Sequence, residues 1–145
     1  MDFDDYLAIQ NLLGRYGHSM DECSLAGRDW QWMRELFTDD AVFDLTPMGG
    51  PKLIGIDNII AAWSEGVHPF GHHVTNCVIE PACEDRATCA TKLIVILADG
   101  RSNTGYYKDE VVRSAQAWKF RRRTCLVRPF DSRAPAPMFA IDIGS

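Results

Sequence analysis

Tyr16 and Asp21 near the N-terminus, with His72 and His73 in the run Gly71-His72-His73-Val74-Thr75-Asn76, are the residues whose types could move a proton. An imidazole held against a carboxylate is fixed in one tautomer, stays basic and removes a proton near neutral pH. Asp21 is the carboxylate available to orient it. If the run is a regular strand, His72, Val74 and Asn76 share one face and His73 and Thr75 the other, so one imidazole at most faces an interior. His68, His72 and His73 can also be read as a metal set. The four-residue step from His68 to His72 suits ligation on a helix, however, and this segment holds Pro69 and Gly71 and reads as loop into strand, so no metal is expected.

These residues need elements to hold them. Tyr6, Ile9, Leu13, Tyr16 and Met20 recur at steps of three and four, which places them on one face of a helix beginning near Asp4. Gly14 and Gly17 weaken that helix by about 1 kcal/mol each relative to Ala, so packing must hold it. Asp21 falls near its C-terminal end, where the macrodipole disfavours negative charge by about 0.3–1 kcal/mol. The carboxylate is therefore either solvated or matched to a partner. Asp29 can cap a short helix over 30–37, on which Trp30, Met33 and Phe37 again step by three and four, and Asp57 can cap a third helix reaching Trp63. A short strand is expected over 41–45 between them.

From His72 onward the period becomes extended, with strands expected over 72–80, 87–97, 104–112 and 115–127. Asp99-Gly100 is a hairpin signal between two of them. Helices followed by an antiparallel meander mean an α+β fold. On the last strand, alternation separates Trp118, Phe120 and Arg122 from Lys119, Arg121 and Arg123, so the three consecutive arginines point to opposite faces, most of them solvated or paired with Asp109 and Glu110.

The whole chain bounds the function classes. Its 145 residues fit one domain, expected over 1–128, followed by an extended tail over 129–145 that contains Pro129, Pro135 and Pro137 and whose Met138, Phe139 and Ile141 can dock on a neighbouring surface. A net charge of −5 argues against a nucleic-acid partner, and no apolar run is long enough to span a bilayer, so no membrane partner and a cytoplasmic location are expected. The five cysteines, Cys23, Cys77, Cys83, Cys89 and Cys125, include no C-x-x-C pair and read as reduced packing residues.

Taken in order, Leu12-Leu13-x-x-Tyr16 with Asp21, Trp32-x-x-x-Leu36-Phe37-Thr38-Asp39-Asp40-Ala41, His72-x-x-x-Asn76, Gly105-x-Tyr107-x-Asp109 and Trp118-Lys119-Phe120-x-x-Arg123 resemble the scytalone dehydratase and polyketide cyclase-like branch of the nuclear transport factor 2-like superfamily. The resemblance implies a cone-shaped α+β barrel, a curved antiparallel sheet closed by three N-terminal helices around an apolar pocket, assembled as a trimer or dimer. It implies an Asp–His dyad of Asp21 and His72, with Tyr16 polarising a carbonyl or assisting a leaving group. His73, Asn76, Tyr107 and Arg123 are the substrate-contacting positions that follow from it. The acidic residue that the bile-acid dehydratase carries on the second long strand falls near Val95 here, so no further acid comes from that place.

The expected activity is a cofactor-independent dehydratase-type elimination or an isomerisation on a small hydrophobic molecule that is cyclic or bears a carbonyl. Polyketide cyclisation and epoxide hydrolysis are rival chemistries on such a pocket. A non-catalytic ligand-binding or assembly module is the rival class, since fold alone does not establish catalysis.

Overall fold

The computed structural model describes residues 1–26, 29–66, 68–115 and 117–128, and the tail expected over 129–145 lies outside them. A capping box opens the first helix, α1 (Phe3–Ala26): the Asp5 N–H donates to Asp2 Oδ1 at 2.9 Å and the Asp2 N–H to Asp5 Oδ2 at 3.1 Å. Ile9, Leu13, Tyr16 and Met20 are buried as their spacing requires. Tyr6 is not, at 37% exposed, and Asp5 at 6% takes the inward place. Its carboxylate accepts the Trp118 indole N–H at 3.1 Å and pairs with Arg113, so burial leaves it satisfied.

A 3-10 turn at Trp30–Trp32, capped by Asp29 accepting the Gln31 N–H at 3.1 Å, runs into a single helical turn, α2 (Met33–Leu36). The continuous helix expected over 30–37 stops early, because Phe37 turns extended to pack its ring 5.0 Å from that of Phe120. β1 (Phe37–Asp44) therefore starts four residues sooner than its alternation indicates. After β2 (Lys52–Ile54), helix α3 (Ile56–Glu65) begins behind Gly55, φ 86°, without a side-chain cap, and Asp57 pairs instead with Arg34. The long strands follow as β3 (Gly71–Cys83), β4 (Arg86–Ile96), β5 (Ser102–Ser114) and β6 (Ala117–Arg128), with Gly100 at φ 83° in the β4–β5 turn.

The strands lie in the order β2-β1-β6-β5-β4-β3. Every neighbouring pair is antiparallel except β1 with β6, which are parallel and joined through α3 and four intervening strands. The α+β fold is the expected one, three helices with a curved sheet; the β1–β6 pair makes that sheet mixed rather than antiparallel throughout, and it does not close on itself. The helices pack on one face, α1 against β3 and β6 and α3 against β1.

Two bulges change which side chains that face receives. On β3 the register shifts between Thr75 and Val78, with Asn76 at φ 50°; inward burial passes from His72 and Val74 to Cys77 and Ile79. On β6 the pairing shifts as Glu110 and Val111 meet Arg122 and Phe120. Trp118 and Phe120 face the core, and after the extra residue so do Arg123 and Cys125. Strict alternation had put Arg123 on the opposite side from Trp118. Arg121 stays exposed and Arg122 half-buried, 3.6 Å from Asp40 and 3.9 Å from Glu110, so among the described residues these arginines form no concentrated basic patch.

Among the described residues no cysteine is in a disulfide; Cys83 is exposed rather than packed, while burial pushes the Cys89 and Cys125 thiols up to about 12 and about 11. Among the described residues no helix is long and apolar enough to cross a membrane.

Arg123 is fully enclosed. Its Nε and Nη2 each donate to an Asp109 carboxylate oxygen at 2.8 Å, and its guanidinium carbon lies 4.1, 4.1 and 4.0 Å from the ring centres of Tyr16, Tyr107 and Phe120. Burial pushes the Asp109 carboxyl up against the pull of Arg123, and burial likewise opposes the arginine charge, which the Asp109 carboxylate more than offsets. Removing one partner strands the other. Asp109→Ala is expected to lower unfolding free energy in urea by about 3–5 kcal/mol, with Asp109→Leu/Arg123→Met recovering most of it. A single-variant loss below about 1 kcal/mol would show that the pair is not held as an ion pair.

Candidate active site

Helix α1 approaches β3 closely at Gly17, where a Cβ would lie 3.2 Å from the His72 carbonyl oxygen. Gly14 has open space beside it, so of the two helical glycines only Gly17 serves contact. Asp21 lies one turn beyond Gly17 on the same side of the helix. Its carboxylate accepts the His72 backbone N–H at 2.9 Å on Oδ1 and 3.1 Å on Oδ2, and His72 Nδ1 lies 2.7 Å from Oδ1. That contact places the imidazole proton on Nδ1 and leaves Nε2 as a base. These donors also compensate a negative charge late in a helix with no basic residue in its last turn. The His72 side chain is 5% exposed and that of Asp21 29%, so the histidine faces the interior and the carboxylate stands behind it.

A cavity of about 600 Å³ opens beside His72. Its walls are mostly apolar, including Met20, Phe43, Leu93, Val95 and Val127; Tyr16, Trp63 and Tyr107 also line it, and Met48, His68 and Arg101 stand among the remaining lining residues. The Tyr16 ring meets Trp32, Phe37, Tyr107 and Phe120 edge-on at centroid distances of 6.1, 6.0, 5.8 and 6.1 Å. Four rings thus fix its direction. Burial pushes the Tyr16 hydroxyl up to about 12 despite the opposing pull of Arg123, and Tyr107 well above its ordinary value, so both phenols keep their protons at neutral pH. Burial draws the His72 pKa down, Asp21 holding it up in part, so its Nε2 is unprotonated at pH 7.

Of the residues marked out by the sequence, Tyr16, His72 and Tyr107 line this cavity and Asp21 orients His72 from outside it. Two others lie elsewhere: His73 is exposed on the opposite face of β3, and Asn76 is exposed at the bulge, accepting the Thr75 hydroxyl at 3.1 Å. Arg123 lies beneath Tyr16 and Tyr107 with no exposure, so it acts on the cavity through its charge. His68 turns its Nε2 to the Trp63 carbonyl oxygen at 2.6 Å and packs on Trp30 at 4.7 Å, away from any shared arrangement with His73. Among the described residues no three His, Cys, Asp or Glu side chains converge as metal ligands. Trp63, read from the sequence only as a helix-end core residue, is a wall of the cavity; its place in the last turn of α3 was the available signal.

The profile of the SnoaL-like domain family matches residues 1–124. The chain belongs to this family. No curated protein sequence matches it. Solved structures similar to this SnoaL-like domain include a proposed aromatic ring hydroxylase from Novosphingobium aromaticivorans, 28% identical over 90% of this chain and 96% of that one at a TM-score of 0.73. A proposed scytalone dehydratase from the same organism is 24% identical, covering 92% of each chain at 0.65. A hexachlorocyclohexane dehydrochlorinase (LinA type 2) is 18% identical, covering 92% of this chain and 93% of that one at 0.64. The SnoaL-like domain is thereby a member of the nuclear transport factor 2-like superfamily, and the last two structures show a shared fold alone.

The dyad of this SnoaL-like domain can be read without a substrate. Because the folded imidazole binds its proton more weakly than the unfolded one, acidification through 6.5 favours unfolding, and the stability His72 withholds is restored as pH rises through that value. NMR titration of His72 is expected to give a midpoint below 6.5, and a still lower one in Asp21→Asn, which removes the carboxylate that holds it up. A midpoint above 6.5, or one that Asp21→Asn leaves unmoved, would contradict the dyad.

Proposed function

We propose that this protein is a cofactor-independent lyase or isomerase acting on a small hydrophobic molecule that bears an oxygen function. The observation that carries the reading is His72: it is oriented through Nδ1 by Asp21, which leaves Nε2 as the base, and it lines a mostly apolar cavity that Tyr16 also lines. A cavity of about 600 Å³ suits a ligand of a few rings.

In the elimination, His72 Nε2 takes a proton from carbon, the C–H electron pair becomes the new double bond, and the leaving group departs with its own pair. A hydroxide leaving group departs as water once the imidazolium returns that proton. Asp21 stabilises the imidazolium, and the Tyr16 O–H donates to the oxygen on which negative charge grows. In the isomerisation the same proton is returned to a different carbon. The family membership and neighbours named as a dehydratase and a dehydrochlorinase support a small-molecule-converting enzyme of the eliminating kind.

Native mass spectrometry against hydroxylated aromatics, terpenoids and steroids is expected to yield a ligand that the protein converts. On it His72→Ala should cost about 10²–10⁴-fold in kcat, and Asp21→Asn most of that loss with binding largely kept. The double variant should be no worse than His72→Ala, as for residues acting as one unit, and His73→Ala should be mild. Small, additive losses at all three positions would defeat this reading in favour of a binding module.

A further inference from the structure

The exposed rim of the cavity carries the charge that its apolar walls lack. Among the described lining residues Arg101 is the one Lys or Arg and Asp99 the one Asp or Glu. Across the sheet, His72 on β3 stands opposite Val95 on β4, and Val95 opposite Asn103 on β5. One pleat further along, the Leu97 N–H donates to the Arg101 carbonyl oxygen at 2.8 Å, so these two residues face each other where the β4–β5 turn begins. Leu93, Val95 and Leu97 share the inner face by alternation, as do Tyr107, Asn103 and Arg101, and all six line the cavity. Arg101 therefore belongs to the cavity face, about 10 Å across the strands from His72 and about 7 Å along them toward the turn.

Asp99 fixes this arginine without using it up. Its Oδ1 accepts the Arg101 backbone N–H at 3.0 Å and its Oδ2 the Arg101 Nε–H at 2.7 Å, while the Gly100 N–H closes the turn on the Leu97 carbonyl oxygen at 2.9 Å. The backbone bond and then the side-chain bond from Arg101 hold the Asp99 carboxyl below its ordinary value, so it stays ionised and keeps its grip at neutral pH. Among the described residues Asp99 is the acceptor for the Arg101 side chain, and it takes Nε alone, which leaves the edge formed by Nη1 and Nη2 to solvent or a ligand. At 76% exposure the side chain is open to either.

We infer that Arg101 reads a carboxylate at the end of the substrate remote from His72. This rests on the function proposed above and narrows its substrate class: an amphiphile whose oxygen function is worked on beside His72, whose apolar body fills the cavity and whose anionic end meets the rim. A guanidinium edge matches a carboxylate through two parallel N–H···O bonds, and with Nε held by Asp99 the matching edge is the one the turn leaves open. A cationic end finds no such partner, since both Asp99 oxygens already accept from Arg101. Arg101 is thus a specificity-determining residue that favours keto acids over neutral ketones.

The test compares 2-tetralone, 2-tetralone-6-carboxylate and the matching primary amide, with Kd measured for the wild-type protein and Arg101→Gln at low ionic strength and in about 1 M salt. The wild type should bind the carboxylate about three- to tenfold more tightly than the amide at low ionic strength, and high salt should remove most of that preference. Arg101→Gln should lose the preference, keep its affinity for 2-tetralone and the amide, and melt where the wild type melts, because an exposed ion pair adds little to stability. A carboxylate bound no better than the amide, a preference that survives in Arg101→Gln, or equal losses for all three ligands in that variant overturns the anion site and leaves the His72 and Tyr16 reading intact. Failure of all three ligands to bind the wild type at millimolar concentration overturns the reading of the cavity itself, and Arg101 with it.

Discussion

A cation enclosed in the core sets the terms for everything above it. Arg123 has no exposure, so its charge is tolerable only where Asp109 takes two of its N–H groups and three rings present their faces to it. Satisfying that charge dictates where Tyr16, Tyr107 and Phe120 sit. It also dictates the backbone, since Arg123 reaches the core side only because β6 bulges between Phe120 and Arg122. Tyr16 is pinned by the cation over its ring and by four neighbouring rings set edge-on to it, and it lines the cavity from that fixed place. The same positive charge helps hold His72 unprotonated, so a group that does not line the cavity shapes both its donor and its base.

The second constraint is distance between backbones. The missing side chain at Gly17, where a Cβ would lie a tight 3.2 Å from the His72 carbonyl oxygen, lets α1 come near β3, and Asp21 receives both the backbone and the ring N–H of His72. Gly17 weakens the helix by about 1 kcal/mol relative to Ala, and the contact that it permits places the dyad. Burial of the imidazole then draws its pKa down and leaves a base suited to neutral pH.

How much of this could be read from the sequence depended on whether the signal was local. Tyr16 and Asp21 were legible because helical spacing ties them to one element; that a strand beginning with two imidazoles turns only one inward was legible too, but the choice of His72 over His73 came from the family resemblance. Bulges left little trace: one extra residue in β3 or β6 changes no composition, and the tolerance of Asn76 for φ 50° was the single cue at the first. Counting by twos past those points therefore put Asn76 inside and separated Arg123 from Trp118 and Phe120. The parallel pairing of β1 with β6 joins segments about eighty residues apart, which no local pattern encodes. Asp5 broke the apolar stripe of α1 because its partners, Arg113 and Trp118, arrive from the far end of the chain.

What joins these features is proton abstraction from carbon by His72, and proton exchange with solvent reads it directly. With 2-tetralone in D₂O, the wild-type protein should speed the loss of the α-proton NMR signal well beyond the buffer rate, and His72→Ala should return it to that rate. A bound ketone whose α-protons exchange no faster than in buffer, or an acceleration that survives in His72→Ala, would contradict general-base catalysis at this site.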